Sequence, residues 1–357
     1  MTTYLLAGGG TAGHVNPLLA VADGLAARDR GDEILVLGTK EGLEARLVPL
    51  RGYELLTIER LPFPRRIDAA AASFPVRFRR AVAQVRALIR ERGVDAVVGF
   101  GGYASAPAYV AARRERVPFV VHEANARPGL ANVLGARTAA GVGVAFAGTP
   151  LRGSRVVGMP LRPEITAMDR ASLRDTAASH YGLDAAVPTL LVFGGSLGAL
   201  RLNTAFTGAY ADVLAAGYQL VHITGARWEG DDPGVPGYVV REYEDRMDLA
   251  FAMADVIVSR AGAATVSEIS ALGIPAVYVP YAVGNGEQKL NARSAVEAGA
   301  AILVEDGSFT ADRVRTTIVP LLRDPERLDA MREAAVSVGT RTGTENVIAM
   351  IDSALRR

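Results

Sequence analysis

The chain contains no cysteine, only two lysines and a single tryptophan among its 357 residues. The absence of cysteine excludes disulfides, thiolate metal sites and cysteine nucleophiles. Neither Lys40 nor Lys289 ends a glycine-rich loop in the pattern Gly-Lys-Ser/Thr, which excludes a P-loop nucleotide site. Because 39 basic residues are balanced by 38 acidic ones, the overall charge gives no reason to expect a nucleic-acid partner.

Long apolar runs are also missing. No stretch reaches the roughly 18 uninterrupted apolar residues of a membrane-spanning helix, so no such helix is expected. The first residues, MTTYLLAGGGTAGH, contain no basic segment followed by an apolar run, so no signal peptide is expected. The length of the chain exceeds that of one usual hydrophobic core and predicts two domains of similar size.

Short apolar segments alternate with longer helix-like segments along the whole chain. These short segments are continuously apolar, which is typical of parallel strands that are covered on both faces. Strand–helix–strand repetition of this kind indicates an α/β fold with doubly wound parallel sheets. The predicted strands are Tyr4–Ala7, Ile34–Gly38, Ala96–Phe100, Pro118–His122, Leu190–Phe193, Gln219–Thr224, Val256–Ser259, Ala276–Pro280 and Ala301–Val304.

This layout occurs twice. An apolar strand runs into the glycine turn at 8–10, and a second one runs into the turn at 194–196, each before a helix-like segment. Two Rossmann-like domains explain the repeat, and the two prolines of segment 158–163 place the joint there. The predicted domains are residues 1–159 and 160–340. Because doubly wound sheets bind ligands beyond the carboxyl ends of their strands, the two domains are expected to face a cleft.

Three glycine-rich turns, at 8–13, 99–102 and 194–198, each follow a predicted strand. Such turns let a ligand approach the backbone and direct free N–H groups toward it, although any single turn could serve packing alone. The first turn also fits the dinucleotide pattern GxGxxG. Glu41 is poorly placed as its acidic ribose ligand, which disfavours an NAD-dependent oxidoreductase.

Polar residues gather behind the strands of the second half. Segment 259–262 ends a strand, Glu268 lies on the following helix, and Glu287 and Gln288 follow the next strand. Taken alone, Glu268 or Gln288 could be a solvated helix residue. Since carboxylates and amides bridge vicinal hydroxyls, the combination favours a site for a ribose and a sugar.

Seven motifs occur in order along the chain: GGGTAGHVNPLLAVA (8–22), GFGGYASAP (99–107), HEANARPGLAN (122–132), GMPLR (158–162), GGSLGALRLN (194–203), SRAGAATVSEI (259–269) and GNGEQKLNA (284–292). Together they resemble the family of N-acetylglucosaminyltransferases that convert lipid I to lipid II in bacterial peptidoglycan synthesis. The resemblance covers essentially the whole chain. It implies a GT-B fold with an acceptor-binding first domain, a donor-binding second domain, and a last helix within 341–357 that packs back on the first.

The resemblance also implies the reaction. An inverting enzyme would transfer GlcNAc from UDP-GlcNAc to the 4-hydroxyl of MurNAc-pentapeptide on undecaprenyl diphosphate, without a cofactor, at the cytoplasmic face of the cell membrane. The transition state has oxocarbenium character, and negative charge grows on the departing diphosphate. Neither donor-facing loop contains Asp-x-Asp, so we expect a donor site that needs no metal.

Individual residues receive roles from the same resemblance. For the donor, Glu268 would hold the ribose hydroxyls and the Glu287-Gln288 pair would bind GlcNAc. The turn at Tyr243 would meet the uracil through its backbone. Many relatives have two adjacent glutamines where this chain has Glu287 and Gln288, but glutamate can still accept from a sugar hydroxyl. The other implied donor contacts are Gly195, Ser196 and Arg162 at the diphosphate, with Thr11, Gly13 and Asn125 from the first domain.

On the acceptor side, the resemblance implies that Gly10, Gly101, Gly102 and Tyr103 bind the diphosphate of the lipid, and that His14, Glu123 and Asn125 are catalytic. His14 directly follows a glycine turn, and imidazole accepts protons near neutral pH, so His14 is the leading candidate for the general base. Two alternatives stay open: His14 could cap its helix or position a phosphate, and Glu123 could be the base.

The segment from Arg60 to Arg92 is basic, with nine arginines against two acidic residues. Apolar residues recur through it at helical spacing, and their inner members are expected to face the core. Phe63, Arg65 and Arg66 in the proline-broken part, together with Phe74 and Phe78, are the predicted contacts with an anionic membrane surface.

Three other functions remain possible at this point. A GT-B enzyme acting on another lipid such as diacylglycerol would differ in its first domain, and HEANARPGLAN argues against it. A UDP-GlcNAc 2-epimerase would share the donor features but would need no basic, apolar patch. A non-catalytic sensor of the sugar nucleotide is distinguished only by the lack of activity.

Overall fold

The computed structural model describes residues 1–64, 69–195, 198–281 and 286–356. The chain forms two compact units, residues 1–162 with 341–357 and residues 163–340. The joint expected between residues 159 and 160 lies close to the boundary between them.

Unit 1 contains a seven-stranded sheet in the order β3-β2-β1-β4-β5-β6-β7, with neighbouring strands parallel. Its strands are β1 (Thr3–Ala7), β2 (Glu33–Thr39), β3 (Glu54–Ile58), β4 (Ala96–Gly99), β5 (Phe119–Glu123), β6 (Gly141–Val144) and β7 (Ser154–Val156). Its helices are α1 (Ala12–Ala26), α2 (Glu44–Leu50), α3 (Ala69–Glu91), α4 (Ser105–Glu115), α5 (Leu130–Gly135) and, from the end of the chain, α17 (Gly343–Leu355).

Unit 2 contains a six-stranded parallel sheet in the order β10-β9-β8-β11-β12-β13. Its strands are β8 (Thr189–Phe193), β9 (Gln219–Ile223), β10 (Tyr238–Arg241), β11 (Val256–Ser259), β12 (Ala276–Tyr278) and β13 (Ala301–Leu303). Its helices are α6 (Pro163–Thr166), α7 (Arg170–Tyr181), α8 (Leu200–Thr207), α9 (Tyr210–Leu214), α10 (Met247–Met253), α11 (Ala263–Ala271), α12 (Glu287–Asn291), α13 (Arg293–Glu297), α14 (Ala311–Arg313), α15 (Val319–Leu322) and α16 (Pro325–Val338).

The strands are apolar on both faces because both faces are covered. Along β1, Tyr4 and Leu6 belong to one buried cluster, whereas Leu5 and Ala7 belong to another. All four side chains are at most 2 % exposed. The prediction of two doubly wound parallel sheets is therefore confirmed, and each of the nine predicted strands is present within one or two residues. Strands β3, β6, β7 and β10 were not predicted.

The last helix, α17, packs against unit 1. Arg28 at the end of α1 donates two hydrogen bonds to Asp352, at 3.0 and 3.1 Å. Asn346 donates to the carbonyl of Val157 at 3.0 Å. A Cβ on Gly141 would lie 2.7 Å from the side chain of Met350, so a larger residue at this position of β6 would displace that side chain.

Candidate functional site

Two of the glycine turns meet at one edge of the sheet in unit 1. They follow β1 and β4, which are neighbouring parallel strands, so both turns lie at the carboxyl edge. Gly102 has a φ of 78°, and a Cβ at that position would lie 2.3 Å from the carbonyl oxygen of Gly9. The second turn therefore rests directly on the first, and only glycine allows this contact.

A buried carboxylate that the sequence analysis did not identify holds the first turn. Glu44, at the start of α2, is 0 % exposed and accepts hydrogen bonds from Gly10 N and Thr39 N, each at 2.8 Å. The Thr39 hydroxyl donates to the same carboxylate at 2.9 Å. A Cβ on Gly9 or Gly42 would lie within 2.3 Å of a Glu44 oxygen, so glycines surround this side chain. Glu44 thus fixes the path of the turn before any ligand arrives.

We expect Glu44→Gln to destabilise unit 1 by about 2 kcal/mol, because the amide nitrogen would face a backbone N–H and leave a buried donor unsatisfied. Denaturant unfolding measures this loss. The control is Glu41→Gln, three residues away on the exposed surface, which should leave stability unchanged. Equal stability of the two variants would contradict the positioning role of Glu44.

His14 lies in the first turn of α1 and is half-buried. Its Nδ1 is 3.1 Å from the carbonyl oxygen of Gly9 and 3.2 Å from the Thr11 hydroxyl. Because a carbonyl oxygen only accepts, Nδ1 carries the proton, and in the neutral ring the lone pair lies on Nε2. A Cβ on Gly101 would lie 3.1 Å from Nε2, so this nitrogen faces the second glycine turn. The geometry suits a proton acceptor at this edge.

Glu123 ends β5 and is 2 % exposed. Its two oxygens accept hydrogen bonds from Asn125 N, Gly129 N and the amide of Asn132, each at 2.9 Å. Asn132 in turn accepts from the Tyr109 hydroxyl at 2.7 Å. This network holds the loop that carries Asn125, and it favours a positioning role for Glu123. The catalytic roles of Glu123 and Asn125 stay predictions.

Tyr103 stands beside the first turn, since a Cβ on Gly10 would lie 3.7 Å from its ring. The Arg60 guanidinium lies over the same ring, 5.0 Å from its centroid, and donates to the Tyr103 hydroxyl at 3.4 Å. The structure thereby brings His14 together with the residues that are predicted to bind the acceptor, which are Gly10, Gly101, Gly102 and Tyr103. Thr11 is exposed and Gly13 is half-buried at the start of α1.

Two other histidines are buried and neutral. His122 in unit 1 places Nε2 3.0 Å from the carbonyl of Gly158, and burial lowers its pKa to about 4. His222 in unit 2 accepts from the Tyr238 hydroxyl at 2.9 Å and donates from Nε2 to the Asn203 side chain at 3.1 Å; burial lowers its pKa to about 4 as well. Each histidine forms hydrogen bonds only within its own unit among the described residues, which is typical of a histidine with a structural role.

Unit 2 has a cavity of about 1070 Å³ beyond the carboxyl ends of its strands. Gly194, Gly195 and Gly198 of the third glycine turn line it, together with Gln288 and Thr265. Gly198 has a φ of 77°, and a Cβ there would lie 2.1 Å from the carbonyl of Thr224, so this turn packs against the segment after β9. The predicted donor residues Gly195 and Gln288 therefore share one cavity.

Arginine charges dominate this cavity. Arg260, which directly follows β11, donates to the carbonyl of Val279 at 2.9 Å and pairs with Asp306. Arg201 also contacts Asp306, at 3.3 Å, and the Arg260 guanidinium lies 5.4 Å from the centroid of the Tyr281 ring. Neither Arg201 nor Asp306 was predicted as a site residue, although Arg201 lies within the motif GGSLGALRLN (194–203).

Four further residues were predicted to bind the donor, and none of them is among the described residues that line this cavity. Glu268 is half-buried on α11, one helical turn after Thr265, and Glu287 is half-buried at the start of α12. Arg162 is half-buried and is the last residue of the first of the two segments that form unit 1. Ser196 lies outside the described residues. The donor roles of these residues stay predictions.

Glu244 holds the turn that is predicted to meet uracil. The neighbouring Tyr243 is 55 % exposed. The Glu244 carboxylate accepts from Arg246 N at 2.8 Å, the Tyr181 hydroxyl at 2.9 Å and His180 at 3.1 Å. Burial raises the pKa of Glu244, but these hydrogen bonds outweigh it and hold the pKa below its usual range. The carboxylate therefore fixes the backbone that Tyr243 belongs to.

The basic segment of unit 1 divides into two parts. Phe74 is 5.5 Å from Phe63 and 5.7 Å from Phe78, between ring centroids, and both Phe74 and Phe78 pack on the core only in part. Val82 and Val85 further along α3 are fully buried, which confirms that the inner stripe faces the core. Arg65 and Arg66 lie outside the described residues.

Several arginines of this segment are neutralised by carboxylates. Arg86 and Arg90 pair with Glu115, and Arg92 pairs with Glu33 and Glu54. By contrast, Arg79 and Arg80 are exposed and form no ion pair within the described part of the chain. The basic surface is therefore smaller than the sequence count indicates, and it includes Arg79 and Arg80 in the middle of α3.

Across the described ranges, no helix is long and apolar enough to cross a membrane. Within the same ranges, no group of three or more His, Asp or Glu side chains is arranged to hold a metal ion. The expectation that the donor site needs no metal stays a prediction.

Models of known protein families match both units. The glycosyltransferase family 28 N-terminal domain matches residues 4–144, and the family 28 C-terminal domain matches residues 189–347. Together they account for most of each unit.

Individual proteins match over the whole length. The UDP-N-acetylglucosamine--N-acetylmuramyl-(pentapeptide) pyrophosphoryl-undecaprenol N-acetylglucosamine transferase of Clavibacter michiganensis is 61 % identical over 357 residues, covering 99 % of this chain and 97 % of its own. The crystal structure of Acinetobacter baumannii MurG superposes with a TM-score of 0.80 at 27 % identity, covering 99 % of both chains. A UDP-GlcNAc 2-epimerase from Neisseria meningitidis, bound to UDP-GlcNAc, has a TM-score of 0.69 at 12 % identity, covers 98 % of this chain and 99 % of its own, and shares the fold alone.

Proposed function

Since this chain belongs to glycosyltransferase family 28, we propose that it transfers GlcNAc from UDP-GlcNAc to undecaprenyl-diphosphate-linked MurNAc-pentapeptide, converting lipid I to lipid II. The observation that carries this proposal is the 61 % identity to a transferase of that name over essentially the whole of both chains. The enzyme is an N-acetylglucosaminyltransferase of peptidoglycan synthesis.

The acceptor binds to unit 1 in this proposal. The glycine turns at 8–13 and 99–102, with Tyr103, receive the diphosphate of the lipid. The 4-hydroxyl of MurNAc attacks the anomeric carbon of GlcNAc as its bond to the UDP oxygen breaks, and Nε2 of His14 takes the hydroxyl proton. The tautomer fixed by the Gly9 carbonyl supports this role, because it places the lone pair on Nε2.

The donor binds to unit 2. Backbone N–H groups of the turn at 194–198, at the start of α8, stabilise the negative charge that grows on the departing diphosphate. Arg162 and Ser196 also stabilise the charge on the diphosphate. Glu268 binds the ribose, and the sugar is bound by Glu287 and Gln288. The reaction proceeds without a metal or an organic cofactor, and addition of EDTA should leave the rate unchanged.

The test measures UDP release from UDP-GlcNAc with and without a short-chain lipid I analogue, comparing wild type with Glu268→Gln. Acceptor-dependent release that collapses in the variant supports the transferase and its donor site. Release only with a diacylglycerol acceptor would favour a different lipid glycosyltransferase. Conversion of UDP-GlcNAc to its 2-epimer without acceptor would favour the epimerase, and binding without any turnover would favour a sensor.

We further propose that the enzyme works as a peripheral protein at the cytoplasmic face of the cell membrane. Phe63, Phe74 and Phe78 with the neighbouring arginines, Arg65 and Arg66 among them, form the contact with an anionic bilayer. The exposed, unpaired state of Arg79 and Arg80 within the described part of the chain supports this placement.

The double variant Arg79→Ala/Arg80→Ala should bind anionic vesicles about 30-fold more weakly, because each arginine near such a surface contributes about 1 kcal/mol. Cosedimentation with phosphatidylglycerol-containing vesicles measures the partition coefficient. The matched control is Arg113→Ala/Arg114→Ala, two exposed arginines at the end of α4. Equal weakening by both pairs would show that net charge alone governs binding and would contradict a defined patch.

A further inference from the structure

The segment after β9 contributes two side chains to the donor cavity that the proposed function has not used. Arg227 and Trp228 both line the cavity, and Trp228 is the only tryptophan in the chain. Neither residue belongs to a motif that the sequence analysis singled out.

The start of this segment packs against the third glycine turn. Gly198 packs on the carbonyl of Thr224, and Gly225 N donates to the carbonyl of Glu242 at 2.9 Å. Trp228 N then donates to the carbonyl of Gly225 at 3.1 Å, which closes a tight turn. The backbone therefore delivers Arg227 and Trp228 to a defined position beside the glycine turn.

The charges of the cavity single out Arg227. The charged side chains among its described lining residues are Arg201, Arg227, Arg260 and Asp306. Arg201 and Arg260 share the carboxylate of Asp306. Arg227 is exposed and forms no ion pair with any described residue. An exposed arginine without an ion-pair partner suits a diphosphate, which accepts hydrogen bonds from a guanidinium in pairs.

Trp228 completes this wall of the cavity. A Cβ on Gly230 would lie 2.5 Å from the indole, so the segment folds closely against the ring and limits its movement. A large, half-buried aromatic ring next to a bound anion excludes water from it, and electrostatic contacts strengthen when water is excluded.

We propose that Arg227 and Trp228 form an additional donor-binding element, in which Arg227 pairs with the diphosphate of the sugar nucleotide and Trp228 shields that contact from solvent. This inference rests on the proposed donor-binding role of the same cavity. It identifies a second source of affinity for the nucleoside diphosphate, apart from the residues that bind the ribose and the sugar.

The experiment is calorimetric titration of the full-length protein with UDP, UDP-GlcNAc and uridine. Arg227→Ala should weaken UDP and UDP-GlcNAc binding by about tenfold, the effect of one charge-assisted hydrogen-bonded contact, and leave uridine binding unchanged. Arg227→Lys should recover part of the loss. The control Arg323→Ala, which removes an exposed charge on the same unit away from the cavity, should bind as wild type does.

Intrinsic fluorescence gives an independent readout, because Trp228 is the only tryptophan in the chain and its emission reports on the cavity that it lines. UDP should change the emission of the wild type, with the same dissociation constant that calorimetry gives. Unchanged UDP affinity in Arg227→Ala, or wild-type emission that does not respond to saturating UDP, would overturn the inference while leaving the proposed function in place. A wild-type protein that binds neither UDP nor UDP-GlcNAc would overturn both.

Discussion

Replacing His14 by alanine should lower kcat by about 10²- to 10⁴-fold, the range that a positioned general base contributes. The structural reason is the fixed tautomer, because the Gly9 carbonyl holds the proton on Nδ1 and leaves Nε2 as the acceptor. The affinity for UDP-GlcNAc should not change, since the donor cavity is lined by residues of unit 2. Steady-state kinetics with the lipid I analogue and calorimetry with the donor measure the two quantities.

Comparison of kcat with KM separates catalysis from simple positioning. His14→Ala should lower kcat and leave the KM for the lipid I analogue unchanged, whereas loss of a histidine that only positions a phosphate of the acceptor would raise that KM. Lys40→Ala, an exposed substitution in the same unit, is the matched control and should retain wild-type kinetics. A raised KM with an unchanged kcat in His14→Ala would reassign the proton to another group, with Glu123 the first to be tested.

The second large effect concerns stability at acidic pH. His122 and His222 have folded-state pKa values of about 4, because burial disfavours their charged forms, against about 6.5 for an exposed histidine. Between pH 6.5 and 4 the unfolded chain binds protons that the folded chain does not, so the free energy of unfolding falls as the pH falls. Protonation of each histidine in the unfolded chain should lower the free energy of unfolding by about 3 kcal/mol across this window. Above pH 6.5 this loss is absent, because the histidine is then neutral in both states.

Denaturant unfolding at a series of pH values measures this dependence. His122→Gln should flatten the slope by the contribution of one proton, because an amide nitrogen in the place of Nε2 can still donate to the Gly158 carbonyl but does not titrate there. His180→Gln is the control, since His180 lies partly exposed on α7. A slope that is the same in His122→Gln and wild type would contradict the assignment of a neutral, buried His122.

The sequence motifs were sufficient to identify the family. The resemblance found in seven ordered motifs is confirmed by the two family models and by the full-length relatives. The predicted strands are confirmed for the same reason, since a continuous apolar run bounded by glycine is a local property. Strands such as β3 and β10 were not predicted, because their uninterrupted apolar runs are only two or three residues long, Leu55-Leu56 in β3 and Tyr238-Val239-Val240 in β10.

The charge of the basic segment depends on tertiary structure. Between Arg60 and Arg92 the sequence has nine arginines against two acidic residues, yet Glu115, outside the segment, pairs with two of these arginines. Glu115 lies on α4 and its partners lie on α3, so their pairing depends on how the two helices pack. Counting charged residues along the sequence therefore cannot show which arginines are neutralised.

By itself, the sequence determined the fold class, the glycine turn that starts each half and the reaction family, and it predicted His14 as the leading candidate for the base. These follow from short segments whose chemistry is complete within a few residues. Only the tertiary structure decided that Glu44 holds Gly10, that the Gly9 carbonyl sets the His14 tautomer, and that Asp306 joins Arg201 to Arg260. The physical reason is that buried polar groups must find partners wherever packing provides them, and those partners are fixed by strand order and helix packing rather than by distance along the chain.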